Sequence, residues 1–214
     1  MKYALEIEII VKSLIANTIS EKYGIENSLS GIICFDSNAD IELIKYLVFD
    51  INEESRKNYG KHPAITHYIK NYGFIPPFVM TKIMTLGQIS RYYGLLKQED
   101  RQAISKYFKI SDRLLKQILV NLTLVRNICA HNDRLYTFHS KFLISYKLID
   151  KTYKVNEKST NLYMLINSMK YLLDNKNYNN FVNQINNEIN ILSKKINCIN
   201  IDNILKIMGF PVNK

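Results

Sequence analysis

The sequence predicts an all-α fold, and three observations lead to that prediction. Apolar residues recur every three to four positions along most of the 214-residue chain, as they do on the buried face of a helix. The chain has seven Gly and four Pro, few for an all-β protein with many tight turns. Hydrophobic residues form 47% of the sequence, enough for a buried core. We expect one helical domain over residues 1–214.

The first predicted helix covers residues 3–23 and stops at Gly24. The residues at helical spacing along its predicted inner face are Leu5, Ile9, Lys12, Ile15 and Ile19.

The next helices have recognisable first and last residues. Asp40 is a suitable N-cap for the second helix, Pro63 suits the first position of the third, and Gly73 suits its end. The prolines at 76 and 77 then open a longer helix. The predicted helices of this part cover residues 41–51, 63–72, 78–93 and 98–108.

A central helix capped by Ser111 or Asp112 is predicted to follow. Its expected buried stripe consists of Leu115, Ile118, Leu119, Leu122, Val125 and Cys129. Residues 136–156 are mixed or strand-like, which indicates either an ordered loop or a short β-hairpin insertion. Three further helices are predicted at residues 160–173, 179–195 and 201–208.

The charge balance points to a polyanionic partner. The chain has 29 Lys and Arg against 19 Asp and Glu, a net charge of +10, and clustered cations bind phosphate backbones. The alternative is that an AT-rich genome encodes many Lys codons, which would spread the charge over solvated faces.

Cysteine usage and the N-terminal segment argue against a disulfide-rich, zinc-binding, secreted or membrane-spanning protein. The three cysteines are far apart and form no CxxC pair with histidines, so we expect neither a disulfide framework nor a zinc site. The sequence also contains no evident nucleotide-binding loop or metal-binding motif, so we expect no metal and no cofactor. Glu6, Glu8 and Lys12 interrupt the apolar N-terminal stretch, which is typical of neither a signal peptide nor a membrane span. We expect a cytoplasmic protein without a membrane partner.

An unusual group of polar residues ends the central helix in the sequence LVNLTLVRNICAHNDRLY. An Arg followed by four residues and a His is a loose pattern, and it occurs both at Arg126–His131 and at Arg134–His139. Helical geometry favours the first, because Asn127 and His131 lie four residues apart on one face, with Arg134 completing the patch. The alternative is that His131 is only a C-terminal cap.

These residues carry a family resemblance. The strings RNICAHNDRLY, YIKNYGFIPPFVMTKIMTLGQISRYYGLL and MGFP resemble the bacterial abortive-infection (Abi) family of AbiD and AbiF type, from about Ile7 to Pro211. That family is similar to the HEPN superfamily, whose signature is Arg, a polar residue, three to five more, then His. The resemblance implies a HEPN-like helical bundle with additional helices. The chain differs from the family pattern in two respects. Family members usually carry a further N-terminal segment before the first helix seen here, so we expect this chain to be a shortened variant. Family members also commonly have a Glu where this chain has Thr81-Lys82.

The resemblance implies a metal-independent endoribonuclease of a phage-defence or toxin–antitoxin system. Two protomers would form a composite cleft, with Arg126, Asn127 and His131 as catalytic residues and Arg134 and Tyr136 contacting RNA. Such toxins can be held inactive by an RNA or protein antitoxin. The implied partners are therefore RNA, a second copy of the chain and an antitoxin.

Two other functions stay open at this point. A non-catalytic HEPN-like protein would bind RNA or act as a scaffold, with the motif helix serving dimerisation. A DNA-binding regulator has weaker support, because the sequence lacks a short Gly-containing turn followed by a polar recognition helix.

Overall fold

Helices dominate a computed structural model that describes residues 1–26, 29, 31–145 and 159–211. The prediction of an all-α fold is confirmed. None of the described helices combines the length and apolarity that crossing a bilayer requires. The helices are α1 (Lys2–Tyr23), α2 (Ile41–Asn58), α3 (Pro63–Tyr72), α4 (Pro77–Ile83), α5 (Leu86–Leu95), α6 (Gln98–Tyr107), α7 (Asp112–Ala130), α8 (Leu162–Ser168), α9 (Asn175–Lys195) and α10 (Ile201–Ile207).

The chain divides into two compact units. Unit 1 comprises Met1–Ile7 with Arg113–Lys214, and unit 2 comprises Glu8–Asp112. One helical domain over residues 1–214 remains a prediction, and so does a HEPN-like arrangement of the helices.

Local signals set the start of α2 and both ends of α3 where they were predicted, whereas α2 continues to Asn58, beyond the predicted residue 51. Asp40 Oδ1 accepts a hydrogen bond from the Glu42 N–H at 2.9 Å and caps α2. Pro63 is the first residue of α3, and Gly73 ends that helix with a left-handed φ of 76°, which glycine adopts without strain. These ends depend on residues close in sequence, which is why they could be predicted.

The predicted inner face of α1 is confirmed for Ile15 and Ile19, which are buried, but is wrong for its first half. Leu5 is 43% exposed and Ile9 65% exposed, whereas Ile7 and Val11 are fully buried. Apolar residues occur on more than one side of α1, so their period alone did not specify the buried side.

The predicted helix over residues 78–93 is two helices, α4 and α5. Met84 is extended, and Thr85 forms a capping box with Gln88. In this box the Gln88 side chain accepts from the Thr85 N–H at 2.8 Å, and the Thr85 hydroxyl accepts from the Gln88 N–H at 3.2 Å. The apolar period continues across the break, so the Thr-x-x-Gln pattern was the informative signal.

A buried carboxylate joins α1 to α6 in unit 2. Asp100 is 1% exposed, and it accepts hydrogen bonds from Lys22 Nζ at 2.6 Å and from the Tyr23 hydroxyl at 2.7 Å. Burial, reinforced by the Asp100 hydrogen bond, raises the pKa of Tyr23 to about 12. Desolvation opposes a charged Lys22, but its hydrogen bonds to Asp100 and Glu99 raise its pKa overall. The Asp100 carboxylate is therefore satisfied by both residues at the end of α1.

Unit 1 contains a short antiparallel pair of strands, β1 (His139–Ser140) and β2 (Thr160–Asn161). The helix predicted from residue 160 therefore begins later, at Leu162, where the Asn161 side chain caps α8 through the Met164 N–H. The strand pair agrees with a β-structured insertion. Residues 146–156 of the predicted strand-like region lie outside the described residues.

The Asn-rich helix α9 begins four residues before its predicted start. Asp174 Oδ1 accepts from the Asn177 N–H at 2.8 Å and caps the helix there. The end of α10 follows prediction, with Gly209 at a left-handed φ of 88°. Neither helix contains a fully buried residue.

Replacing Asp100 with alanine should destabilise unit 2 strongly. Both Lys22 and Tyr23 would lose their shared acceptor, and we expect the free energy of unfolding to fall by roughly 2–3 kcal/mol, measured by urea denaturation. Glu99→Ala is the matched control, because Glu99 contacts the same lysine but is 66% exposed. Glu99→Ala should lower the free energy of unfolding by less than about 1 kcal/mol. An equal decrease for the two variants would contradict the assigned role of Asp100.

Unfolding should become easier at alkaline pH. The folded state raises the pKa of Tyr23 from 10.0 to about 12. The contribution of protonated Tyr23 to the free energy of unfolding is therefore full below pH 10 and is lost as the pH rises towards 12. The raised pKa of Lys22 acts in the same direction. Urea midpoints measured between about pH 9 and 12 should fall less steeply for Tyr23→Phe than for the wild type. An identical slope for both proteins would refute this assignment.

Candidate functional site

The last turn of α7 carries two of the predicted catalytic residues, and the third follows it directly. Arg126 is half-buried and Asn127 is exposed, both within the helix. His131 is exposed and lies one residue beyond the end of α7. Its N–H donates to the Asn127 carbonyl at 3.0 Å, so helical hydrogen bonding extends to His131. The predicted one-turn separation of Asn127 and His131 is therefore kept.

The backbone around Asn132 ends this helix. The Asp133 N–H donates to the Ile128 carbonyl at 3.0 Å, the Asn132 N–H donates to the Cys129 carbonyl at 3.4 Å, and Asn132 has a left-handed φ of 55°. This is the Schellman pattern, in which His131 is the C-cap residue. His131 therefore caps α7 through its backbone, and its imidazole has no hydrogen bond to any residue that the structure describes.

Arg126 and Asn127 are neighbours in space as well as in sequence. Arg126 Nη1 lies 3.4 Å from the Asn127 side-chain oxygen, which is a long hydrogen bond. Arg126 Nε is buried and has no hydrogen-bond partner among the described residues. The structure thus places the side-chain oxygen of Asn127 against Arg126. The guanidinium is left with an unsatisfied donor, a state that a rearranged or ligand-bound side chain would improve.

The two predicted RNA-contacting residues lie beyond the helix. Arg134 and Tyr136 are both exposed, in the irregular segment between α7 and β1. Arg134 does not continue the helical face of Asn127 and His131, because the left-handed Asn132 turns the chain away first. That part of the prediction is wrong, although both side chains are accessible to a ligand.

A cavity of about 710 Å³ in unit 1 borders the motif helix. Val125 and Cys129 of α7 line it together with Leu135 and residues of α8, α9 and α10. Both α7 residues were predicted to be buried, and both are half-exposed because they form the cavity wall. The sequence did not predict this cavity. The apolar stripe of α9 could have indicated it, because that stripe lines the cavity and contains no fully buried residue.

Residues outside the motif have structural roles. His62 caps α3 by accepting from the Ile65 N–H, and Tyr92 and Tyr93 are fully buried. Within the described ranges, no cluster of three or more His, Cys, Asp or Glu side chains could hold a metal ion.

Asn132 should be the residue that fixes the end of α7. At a φ of 55°, Asn132→Ala should lower the free energy of unfolding by roughly 1 kcal/mol, because a Cβ without a compensating polar group strains this conformation. Asn132→Gly is the matched control and should be as stable as the wild type or more so. Thermal denaturation would measure both, and an alanine variant as stable as the glycine variant would contradict the assignment.

The motif and its helix lie within a region shared with known sequences. The sequence model of the Abi-like protein family matches residues 1–137, which is more than half of the chain and includes every predicted site residue. The resemblance expected as far as Pro211 is thus matched up to residue 137. No curated protein and no solved structure matches the sequence. On the family match, this chain belongs to the Abi-like protein family.

Proposed function

We propose that this protein is a metal-independent endoribonuclease with a HEPN-like site at Arg126, Asn127 and His131. Membership of the Abi-like family associates the chain with abortive phage infection. Cleavage of host or phage RNA would stop growth of an infected cell and so protect its neighbours. The net charge of +10 agrees with a polyanionic substrate.

The observation that carries the proposal is the arrangement at the end of α7. Arg126 and Asn127 meet at 3.4 Å, and the exposed His131 follows one turn later with an imidazole that no described residue engages. A cation, an amide and a proton-exchanging ring at one exposed end of a buried helix provide the groups that phosphodiester cleavage requires. The helix holds the backbone of all three residues in place.

In the proposed reaction, the ribose 2′-oxygen attacks the adjacent phosphorus and the bond from phosphorus to the 5′-oxygen breaks. His131 takes the proton of the 2′-hydroxyl or gives a proton to the departing 5′-oxygen. Arg126 stabilises the negative charge that builds on the phosphoryl oxygens. The products are a 2′,3′-cyclic phosphate and a 5′-hydroxyl. Arg134 and Tyr136 lie where they can hold the flanking RNA.

A homodimer completes this scheme. One imidazole cannot remove and deliver a proton at the same instant, whereas two copies of the motif supply two rings for the two roles. The further proposed partner is an RNA or protein antitoxin that covers the site until infection.

The cleavage test uses purified protein, labelled single-stranded and hairpin RNA, and EDTA. The wild type should cut RNA but not DNA of the same sequence and should leave cyclic phosphate ends, because the attacking group is the 2′-hydroxyl. His131→Ala should lower the rate by roughly a hundredfold to ten-thousandfold, and Arg126→Ala by about a hundredfold or more.

His139→Ala is the matched control, because His139 is also exposed and also follows an arginine by five positions. It should keep the wild-type rate. Cleavage that disappears in EDTA, that also attacks DNA, or that survives His131→Ala would overturn the proposed mechanism.

A second candidate function is RNA binding without cleavage. The specific observation in its favour is that Arg126 Nε is buried, so this donor cannot reach a phosphate unless the side chain moves. Growth arrest on expression that is lost in both Arg126→Ala and His131→Ala would favour the enzyme. Tight RNA binding without cleavage by the dimer would favour the binding protein.

A further inference from the structure

Five aromatic side chains form a connected group on α3, on α4 and in the turn between these two helices of unit 2. The ring centroids of Tyr68 and Tyr72 are 5.5 Å apart, and the ring of Phe78 meets Tyr68 edge-on at 6.0 Å. His67 lies 5.8 Å from Tyr72, and Phe74 lies 6.2 Å from Tyr72. We refer to these five residues as the aromatic cluster.

The aromatic cluster is on the surface. Tyr72 is 59% exposed and Phe78 is 43% exposed, while Ile65 is the buried residue of α3. Aromatic side chains that contact one another but remain exposed contribute little to the hydrophobic core of unit 2. A group of exposed aromatic residues of this kind is typical of a binding surface.

The surrounding sequence contains no carboxylate. Between Glu54 and Glu99 the chain has no Asp or Glu over residues 55–98. The cations of this stretch are Arg56, Lys57, Lys61, Lys70, Lys82, Arg91 and Lys97. Unit 2 thus combines its exposed aromatic cluster with an unusually cationic stretch of chain.

Four of these lysines have no carboxylate partner among the described residues. Lys61, Lys70 and Lys82 are exposed, whereas Lys97 is half-buried with its ammonium group over the Tyr23 ring. Helical spacing sets Lys82 one turn after Phe78 on α4, and Lys70 one turn after His67 on α3. This spacing places each lysine on the same helical face as a ring of the aromatic cluster.

Rings and free cations together fit one class of ligand better than others. A single-stranded nucleic acid offers bases that stack on aromatic faces and phosphates that bind lysines. A second copy of this face would bring like charges together, which disfavours a symmetric contact between two copies. Duplex RNA keeps its bases stacked on one another, so it could use the lysines but not the rings.

We infer that the aromatic cluster, with Lys70 and Lys82, is a binding platform for single-stranded RNA, separate from the catalytic motif. The inference rests on the proposed function for the identity of RNA as substrate, and it adds a place where unpaired segments of that RNA are held. Stacking tolerates any base, so the platform binds without sequence preference.

The test measures binding of a labelled mixed-sequence RNA strand by fluorescence anisotropy, with His131→Ala in every protein so that the RNA stays intact. Tyr72→Leu and Phe78→Leu keep apolar bulk but cannot stack, and each should weaken binding about tenfold. Tyr72→Trp should bind as well as Tyr72 or better. Lys82→Ala should weaken binding and reduce its dependence on salt concentration by about one ion.

Matched controls come from α2 in the same unit. Tyr46 is 65% exposed on a helix that also carries Glu42 and Asp50, and Lys45 is paired with Glu42 at 2.8 Å. Tyr46→Leu and Lys45→Ala should leave RNA binding unchanged. Circular dichroism and thermal unfolding would identify any variant that fails to fold. If a leucine variant does not fold, the RNA binding of the milder Tyr72→Trp and Lys82→Ala variants tests the inference instead.

The outcomes separate this inference from the proposed function. Cleavage by the protein with His131 intact, together with cluster variants that bind RNA like the controls, would overturn the platform and leave the ribonuclease standing. Absence of cleavage, with binding lost only in the cluster variants, would overturn the ribonuclease and support the platform. Equal binding of duplex and single-stranded RNA, or binding of anionic lipid vesicles instead of RNA, would overturn the platform.

Discussion

Burial of one face of α7 is the constraint on which the candidate site depends. Leu115, Ile118 and Leu119 are fully buried, and so is Asn121, whose side-chain amide donates to the Gln117 and Phe142 carbonyls at 2.9 and 2.7 Å. The second of these bonds fixes the segment that follows the motif to the helix that carries it. Once this face is buried, the next turn must present Asn127 to solvent.

The two sides of the end of α7 have different environments. One side carries the polar motif, and the other lines the cavity of unit 1 through Val125 and Cys129. Arg126 is not among the residues that line this cavity, and its buried Nε has no hydrogen-bond partner among the described residues. A buried donor without a partner is unfavourable, so a movement of this side chain onto a phosphate would satisfy it.

Unit 2 is held together differently. Its polar anchor is the Asp100 carboxylate with Lys22 and Tyr23, and its exposed aromatic residues lie on α3 and α4. In unit 1 the motif residues sit at the end of one helix, whereas the aromatic cluster of unit 2 spans two helices and the turn between them. The proposed chemistry and the proposed RNA-binding platform thus lie in separate parts of the chain, each supported by its own set of contacts.

The sequence by itself determined the all-α fold, most helix ends and the position of Arg126, Asn127 and His131 around the last turn of α7. These features follow from short-range rules: a cap, a proline or a glycine acts on neighbours within one turn. The break within residues 78–93 also has a local cause, the Thr85–Gln88 capping box, although apolar periodicity did not reveal it. Only the tertiary structure decided which side of α1 is buried and that Arg134 leaves the motif face at Asn132. It also decided that Asn127 contacts Arg126 and that Val125 and Cys129 line a cavity. Apolar periodicity predicts that a helix has a buried face. Packing against residues distant in sequence determines which face is buried and how completely.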